Sequence, residues 1–570
     1  MTGAWRDTLD RSSLSLCFDP LLHRCMKADP LQKLALPGGW WRAVILLLLV
    51  LGIVFRFVNL DQKPYDTDEV RGVMRASGYT SDEFIDRNFT GEITSIAEIQ
   101  KYQKPNSERK LGDAIKALTG NPEHPPLYYL SIRFWMQAFN DTVGARYLSA
   151  VLGVLLLPCA YWLCLELFES PLVAWVGAAL FAVSPFQMLY AQQARQYSLW
   201  VLAILLSSAM LLRSLRSSTV KNWGFYAATL TLGLYTHLFF VWTLITHSLY
   251  VVMMEGFPFS KRLSQKLIAY GLAVLAAIVT FIPWIGVFVS STGRAESTTR
   301  WVSSFKTTIG NRLEVWLHNL SVVFLDFNQD NPDFRNPIPY LVAILVGYAV
   351  YHLCRYTPRR IWVFVLLMIG VTAVTQVLPD LLSPAGGRRS LLSRYLVPTY
   401  VGVQIAVAYL LATQVASRSF KQWQRWSWQG IFAIVMTVGV LSCTVSVQSP
   451  AWWTKGSSSI NPQVAPFVNQ ATRPLLISDA SHTFILSLSH FLKPDVAVQL
   501  FTKENLAQSI DKIALTKAAL DQAQPVFLYF PTQDLLQKFT ETVSSDLQVR
   551  VGESKWFPKR NWLYEVTPAK

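Results

Sequence analysis

The chain of 570 residues is 52% hydrophobic and only 15% charged, and its mean hydropathy is positive. Apolar runs at 43–57, 151–165, 269–289, 397–412 and 431–447 approach or reach bilayer length, which excludes a soluble multidomain protein. The formal net charge of +15 does not point to nucleic acid, because the basic residues fall in short clusters between apolar runs. That is the positive-inside pattern of a polytopic α-helical membrane protein.

In chain order, residues 1–41 form a polar segment without a cleavable signal pattern. Residues 43–58 are therefore expected to act as an uncleaved signal anchor, with Trp40 and Trp41 at the interface. Lys27, Lys33 and Arg42 place the N-terminus in the cytoplasm. The clusters Arg213/Arg216/Lys221, Lys261/Arg262/Lys266, Arg355/Arg359/Arg360 and Arg418/Lys421/Arg425 belong on the same side. Residues 59–125 make a long outer loop. The apolar stretch 127–139 spans only about 20 Å, against a hydrocarbon core of roughly 30 Å. It also carries Arg133 near its middle, so it reads as an amphipathic helix on the outer surface.

Parity then assigns spans to 144–166, 172–190 and 196–213, and makes 223–254 a hairpin with His237 at its outer turn. Residues 266–289 cross outward, 290–336 form a second outer loop with an amphipathic segment at 313–327, and four spans follow near 337–354, 361–379, 395–416 and 428–447. The total is about eleven spans, within a range of roughly eleven to thirteen, with the C-terminus outside the cytoplasm. Residues 42–449 are thus a transmembrane domain whose outer loop at 59–143 bears surface helices. Residues 450–570 form a small extracytoplasmic α/β domain, with strand-like runs at 475–478, 496–501, 526–530 and 562–566 and a helical stretch at 504–513. The six cysteines (Cys17, Cys25, Cys159, Cys164, Cys354 and Cys443) lack framework spacing, so neither disulfides nor a thiolate metal site is expected.

Polar chemistry gathers at the outer boundary. Arg56, Arg146, Arg195, His237 and Asp380 all fall near outer span ends, whereas an ion-coupled transporter keeps charge near the midplane. Asp66, Asp68 and Glu69 crowd into four residues after the first span. In a helix, Asp68 and Glu69 point about 100° apart, so one can face a pocket while the other holds a partner. Crowded carboxylates suit a general base, but the same residues also suit a helix N-terminus capped by Asp66. Glu123 and His124 precede Pro125-Pro126, which fixes a helix entry. With His237 they have the residue types of a divalent-cation site, the alternative being simple hydrogen-bonded interface residues. Arg388, Arg389 and Arg394, next to Tyr395, lie in an outer loop where arginine is disfavoured. Guanidinium forks there suit a phosphate or lipid headgroups, and Arg195, with Tyr197 beside it, can join them.

In their order, several motifs resemble the GT-C integral-membrane glycosyltransferases, specifically bacterial members of the family 39 and RgtA/B/C/D-like group. They are Asp68-Glu69, His124-Pro125-Pro126-Leu127-Tyr128-Tyr129, Ala145-Arg146-Tyr147-Leu148, Ser184-Pro185 with Ala194-Arg195-Gln196-Tyr197, Tyr235-Thr236-His237 and Arg394-Tyr395-Leu396-Val397-Pro398. The resemblance covers residues 40–450. It implies transfer of a sugar from a polyprenyl-phosphate donor to a lipid, glycan or protein hydroxyl at the outer face of the plasma (inner) membrane. It makes Asp68 the expected base, with Glu69 orienting the acceptor or the loop. His124, Arg195, Tyr197, Arg388, Arg389, Arg394 and Tyr395 are then expected at the lipid phosphate and sugar. Related lipid-modifying transferases carry a Glu-Lys-Pro-Pro element; His124 stands here in place of the lysine, and Glu123 and His237 keep a divalent cation in view. The competing readings are a polyprenyl-linked sugar transporter or flippase without chemistry, and a scaffold presenting the C-terminal domain.

Overall fold

A computed structural model of the protein describes residues 38–139, 144–256, 264–291, 293, 301–303, 305–328, 333–384, 386–417, 419–506, 525–543 and 562–566. Lys27, Lys33, Cys17, Cys25, Lys261, Arg262 and Arg418 lie outside them, as does most of the expected 504–513 helix.

Every segment expected to span is helical. In chain order the longer helices are α1 (Trp40–Phe57), α2 (Thr67–Ser77), α3 (Ser81–Asn88), α4 (Leu111–Thr119), α5 (Leu127–Phe139), α6 (Gly144–Phe168), α7 (Pro171–Ala182), α8 (Pro185–Ala191), α9 (Tyr197–Arg216) and α10 (Val220–Thr236). There follow α11 (Phe240–Glu255), α12 (Gln265–Ser290), α13 (Ile309–Ser321), α14 (Ile338–Tyr356), α15 (Arg359–Leu382), α16 (Val397–Ala416) and α17 (Gln422–Gln448). Among the described residues eight helices are long and apolar enough to cross a membrane, or up to nine if the pair α7–α8, bent by 58°, is one span, fewer than the eleven expected; α11, in the expected hairpin, is a shorter apolar helix. The protein is a multi-pass membrane protein. α9 and α16 run through the middle of the bundle, while α12 turns Leu272, Leu275 and Ile282 outward, the apolar face that hydrocarbon requires.

The two ends of the bundle differ in chemistry. At one end Glu166, in the last turn of α6, and Glu169, just after it, meet Arg213 and Arg216 of α9 and Arg360 of α15 in ion pairs. The opposite end gathers the start of α6, the start of α9, the α10–α11 turn and the segment before α16, the layer in which the sequence places its polar chemistry. The kink between α7 and α8 frees carbonyls at Phe181 and Ala182, and both are taken by the buried Arg56 guanidinium at 3.1 and 2.8 Å. Ser184 caps α8, and Pro185 at its first position supplies no donor to orphan.

Above this end lies a five-stranded sheet, order β1-β3-β2-β4-β5, with strands Thr90–Ser95, Leu475–Ser478, Ala497–Phe501, Val526–Tyr529 and Leu563–Val566 numbered by sequence. β3, β2 and β4 are parallel, and β1 and β5 pair antiparallel at the edges. The four C-terminal strands lie within a residue of the expected runs. β1 was not expected: it comes from the first outer loop and pairs Thr90 with Phe501 and Ser95 with Ala497. Outer loop and C-terminal segment therefore share one sheet. Helices α18 (Asn461–Gln470), α19 (His482–Ser489) and α20 (Gln533–Val543) complete this layer.

Candidate active site

The site is organised by α2. Asp66 is its N-cap, accepting from Thr67 N at 2.7 Å, and Glu69 returns the capping box by accepting from Asp66 N at 2.8 Å. At the far end, Arg133 donates to Ala76 O at 2.9 Å, a cation on the last-turn carbonyls. This arginine, expected in mid-helix on a surface, is buried in α5 and holds α2.

Asp68 and Glu69 separate as the helical offset requires. Glu69 turns inward and is fully buried. Arg146 of α6 reaches it with Nε at 3.0 Å and Nη2 at 3.1 Å, Lys455 Nζ lies at 2.6 Å, and Ala194 N donates at 2.8 Å. Burial alone would raise the Glu69 carboxyl, but Arg146 and Lys455 outweigh it and hold the group well below the usual carboxylate range. Glu69 does not line the cavity beside Asp68. Of its two expected roles, orienting the loop matches this geometry and touching the acceptor does not.

Asp68 faces a cavity of about 560 Å³. Arg394 Nη1 lies 3.3 Å and Arg195 Nη2 3.9 Å from its Oδ2, while Arg195 Nη1 donates to the Asp68 carbonyl at 3.2 Å. Burial pushes this carboxyl up; Arg195 and Arg394, then His124 and Arg71, outweigh it and bring it to about 2. Glu123, His124, Tyr197, His237 and Tyr395 line the same cavity, so eight sequence-derived candidates converge there. His124 Nδ1 faces Gln196 Nε2 at 3.4 Å, and His237 stacks on Trp200 at 4.1 Å while accepting from Phe239 N. Burial, then the nearby arginines, depress both imidazoles, His237 to about 3, so both are neutral rings.

Two candidates fall elsewhere. Arg388 stacks on Trp301 at 4.2 Å and donates to its carbonyl at 3.0 Å, so it buttresses the cavity wall from outside. Arg389 lines neither this cavity nor its neighbour. The divalent-cation set does not assemble either: among the described residues no three His, Cys, Asp or Glu side chains are placed to hold a metal. The guanidiniums around Glu123 and His237 also disfavour a cation there.

Sequence reading missed Arg71 and Arg75. They stand three and seven residues beyond Asp68, one helical face, so the 3.6-residue period carried the signal. Among the described residues neither is in an ion pair, unlike Arg195 and Arg394. His482 of α19 was also missed; it closes the cavity from the C-terminal layer, with Nε2 3.1 Å from Ser81 Oγ. No local pattern marked it. That layer is fastened further at Tyr65, whose ring lies between Arg146 at 3.8 Å and His490 at 4.1 Å and whose carbonyl accepts from Ser487.

A half-buried carboxylate bracketed by guanidiniums, at the polar end of a kinked helical bundle roofed by an α/β layer, is set in the fold of the GT-C membrane glycosyltransferases. The chain is similar to ArnT from Cupriavidus metallidurans, a GT-C glycosyltransferase solved bound to undecaprenyl phosphate, at 13% identity and a TM-score of 0.52, covering 93% of this chain and 98% of that one. The apo form of ArnT aligns at 12% identity and 0.51 over the same shares. The oligosaccharyltransferase AglB from Archaeoglobus fulgidus, in complex with an inhibitory peptide and a dolichol-phosphate, aligns at 11% identity and 0.42, covering 86% of this chain and 70% of its own. No protein-family model matches the chain, and no curated protein matches it in sequence.

Proposed function

We propose that this protein transfers a sugar from a polyprenyl-phosphate donor to a hydroxyl acceptor at the extracytoplasmic face of the membrane, by a single inverting displacement. The observation that carries the reading is Asp68, an ionised carboxylate on the wall of a large cavity, flanked by Arg195 and Arg394 and followed along the same helical face by Arg71 and Arg75. The undecaprenyl phosphate bound by ArnT, similar in fold, supports a lipid phosphate as the anionic partner.

The roles divide by charge. Arg71 and Arg75, in no ion pair among the described residues, offer a phosphate its first contacts. As the phosphate engages Arg195 and Arg394, it draws their charge off Asp68. A carboxylate losing such a partner rises by about one to three pH units, which makes Asp68 a better base once donor is bound. Asp68 then takes the acceptor proton while the C–O bond to phosphate breaks. The arginines stabilise the departing phosphate, and no acid is needed because that leaving group is already an anion. A positioned base supplies typically about 10²–10⁴-fold. His124 and His237, as neutral imidazoles, and Tyr197 and Tyr395 donate or accept hydrogen bonds around the sugar.

The test is a labelled polyprenyl-phosphate sugar given to purified protein in liposomes. Release of lipid phosphate with a new glycosidic bond is expected, lost in Asp68→Asn. Full transfer by Asp68→Asn overturns the base assignment. Movement of intact donor across the bilayer with no change of bond replaces the enzyme by a flippase.

A further inference from the structure

A second cavity, about 250 Å³, lies against the first. The two share Asp68, Arg195, Tyr197 and Arg394 as a common wall. Beyond that wall their chemistry differs. The larger cavity continues into Arg71 and Arg75 and into the apolar side chains Leu238, Phe239 and Trp301. The smaller one continues into Asp66, Gln193, Asn319, Ser393 and Thr454, with the Trp453 ring beside them.

Resting on the transferase reading above, we propose that this smaller cavity is the acceptor pocket, and that it takes an uncharged, hydroxyl-rich group, a sugar ring. Three observations converge on it. Inversion requires nucleophile and leaving group on opposite faces of the anomeric carbon, and Asp68 sits on the wall between a compartment that adds Arg71 and Arg75, suited to the phosphate, and one that adds amide and hydroxyl side chains and the Asp66 carboxylate. Amide and hydroxyl side chains exchange hydrogen bonds with sugar hydroxyls, an indole offers a ring its apolar face, and the Asp66 carboxylate disfavours an anion. The volume falls below the roughly 300–1,000 Å³ of drug-sized ligand sites, so the pocket suits one ring and not a lipid. In the step itself the acceptor oxygen bonds to the anomeric carbon, its proton passes to Asp68, and the carbon–oxygen pair leaves with the lipid phosphate.

Thr454→Val and Gln193→Leu test the pocket with two probe acceptors, a soluble methyl glycoside and the same sugar on a diacylglycerol, which separate a glycan from a glycolipid source. The expected result is an acceptor KM raised at least fivefold, with donor KM moved less than twofold. A raised donor KM, or neither KM moved, overturns the assignment. Should neither probe serve as acceptor, alkylation of Thr454→Cys by a small thiol reagent, read above the labelling of the unsubstituted chain, decides instead. Slowing by neutral methyl glycosides supports the pocket, and no slowing by any of them overturns it. Repeating the protection with Asp68→Asn separates the two ideas. Protection that persists while transfer is retained sinks the base reading alone, and absent protection with transfer lost sinks the pocket alone.

Discussion

Arg394→Gln gives the sharpest test of how the Asp68 charge is controlled. Arg394 Nη1 is the nearest cation to the carboxylate, at 3.3 Å, with Arg195 behind it at 3.9 Å. Burial pushes the acid upward and these arginines lead the opposition that brings it to about 2. Removing one of two such partners raises a carboxyl by about one to three units. The sign follows from the linkage. A depressed carboxyl is ionised above its folded pKa, so base activity is lost as pH falls through that value. The acid limb of kcat/KM, which reports the free enzyme, should therefore move from about 2 in the wild type to roughly 3–5 in Arg394→Gln. At neutral pH the variant keeps an ionised base but has lost a stabiliser of the departing phosphate, an effect of about 10²–10³ in kcat for a comparable electrostatic donor. The assay is donor turnover in liposomes across pH, with Arg394→Lys as control: charge restored, fork geometry lost, acid limb back near the wild type. An acid limb that stays put in Arg394→Gln would mean that some other group titrates, and the ion-pair account of Asp68 would fail.

Other consequences follow from the layer beneath. Glu69→Ala leaves Arg146 and Lys455 buried without their carboxylate, a loss of about 3–5 kcal/mol for one partner of a buried pair, read as a lower thermal midpoint by fluorescence-detected size exclusion. Because the Glu69 carboxyl is held well below its unfolded value, its contribution is present above roughly pH 4.3 and is lost only in stronger acid; a melting point falling between pH 7 and 5.5 for this reason would contradict it. Gly72→Ala places a methyl 2.7 Å from Cε1 of the buried Tyr129, whose hydroxyl bonds Gln196 and Arg195, so kcat should fall with no charge changed and at about 1–3 kcal/mol of overpacking. Unaltered kcat in that variant would show the Tyr129–Arg195 link to be dispensable. Tyr65→Leu, which removes the ring between Arg146 and His490, should loosen the C-terminal layer and increase protease cleavage there; an unchanged digestion pattern would argue that the layer is held elsewhere.

Much of the fold was legible because lipid imposes simple rules. Spans announce themselves by length, although the parity count of about eleven exceeds the eight or nine long apolar helices among the described residues, and the strands of the C-terminal layer carried their own apolar runs. What stayed hidden depended on distant pairing. β1, Thr90-Gly91-Glu92-Ile93-Thr94-Ser95, is a short polar edge strand that looks like loop until β3 lies beside it. The site was legible where several weak signals shared one membrane layer, and Asp68, Arg195, His237 and Arg394, grouped on that basis, line one cavity. Arg388 and Arg389 failed the same logic: proximity in sequence to Arg394 does not aim a side chain, and Arg388 turns to Trp301 instead. His482 and Lys455 come from the far end of the chain and had no periodicity to betray them.

The cluster Asp66, Asp68 and Glu69 shows what position adds to composition. Three carboxylates within four residues fall into three environments because a helix begins between them. Asp66, outside the first turn, caps; burial and then the neighbouring Asp68 push its acid up to about 6. Asp68, one step in, faces the cavity and is held ionised by arginines contributed from two other segments. Glu69, a further 100° round, is locked to Arg146, Lys455 and Ala194 and joins α2 to α6, to the α8–α9 turn and to the C-terminal layer at once. In the proposed transfer, a base exchanging partners with an incoming phosphate must not be dragged out of place as its charges regroup. The sealed Glu69 cluster, directly adjacent and cut off from solvent, would supply that fixed point, so that on this mechanism the same short sequence furnishes both the charge that changes partners and the charge that does not.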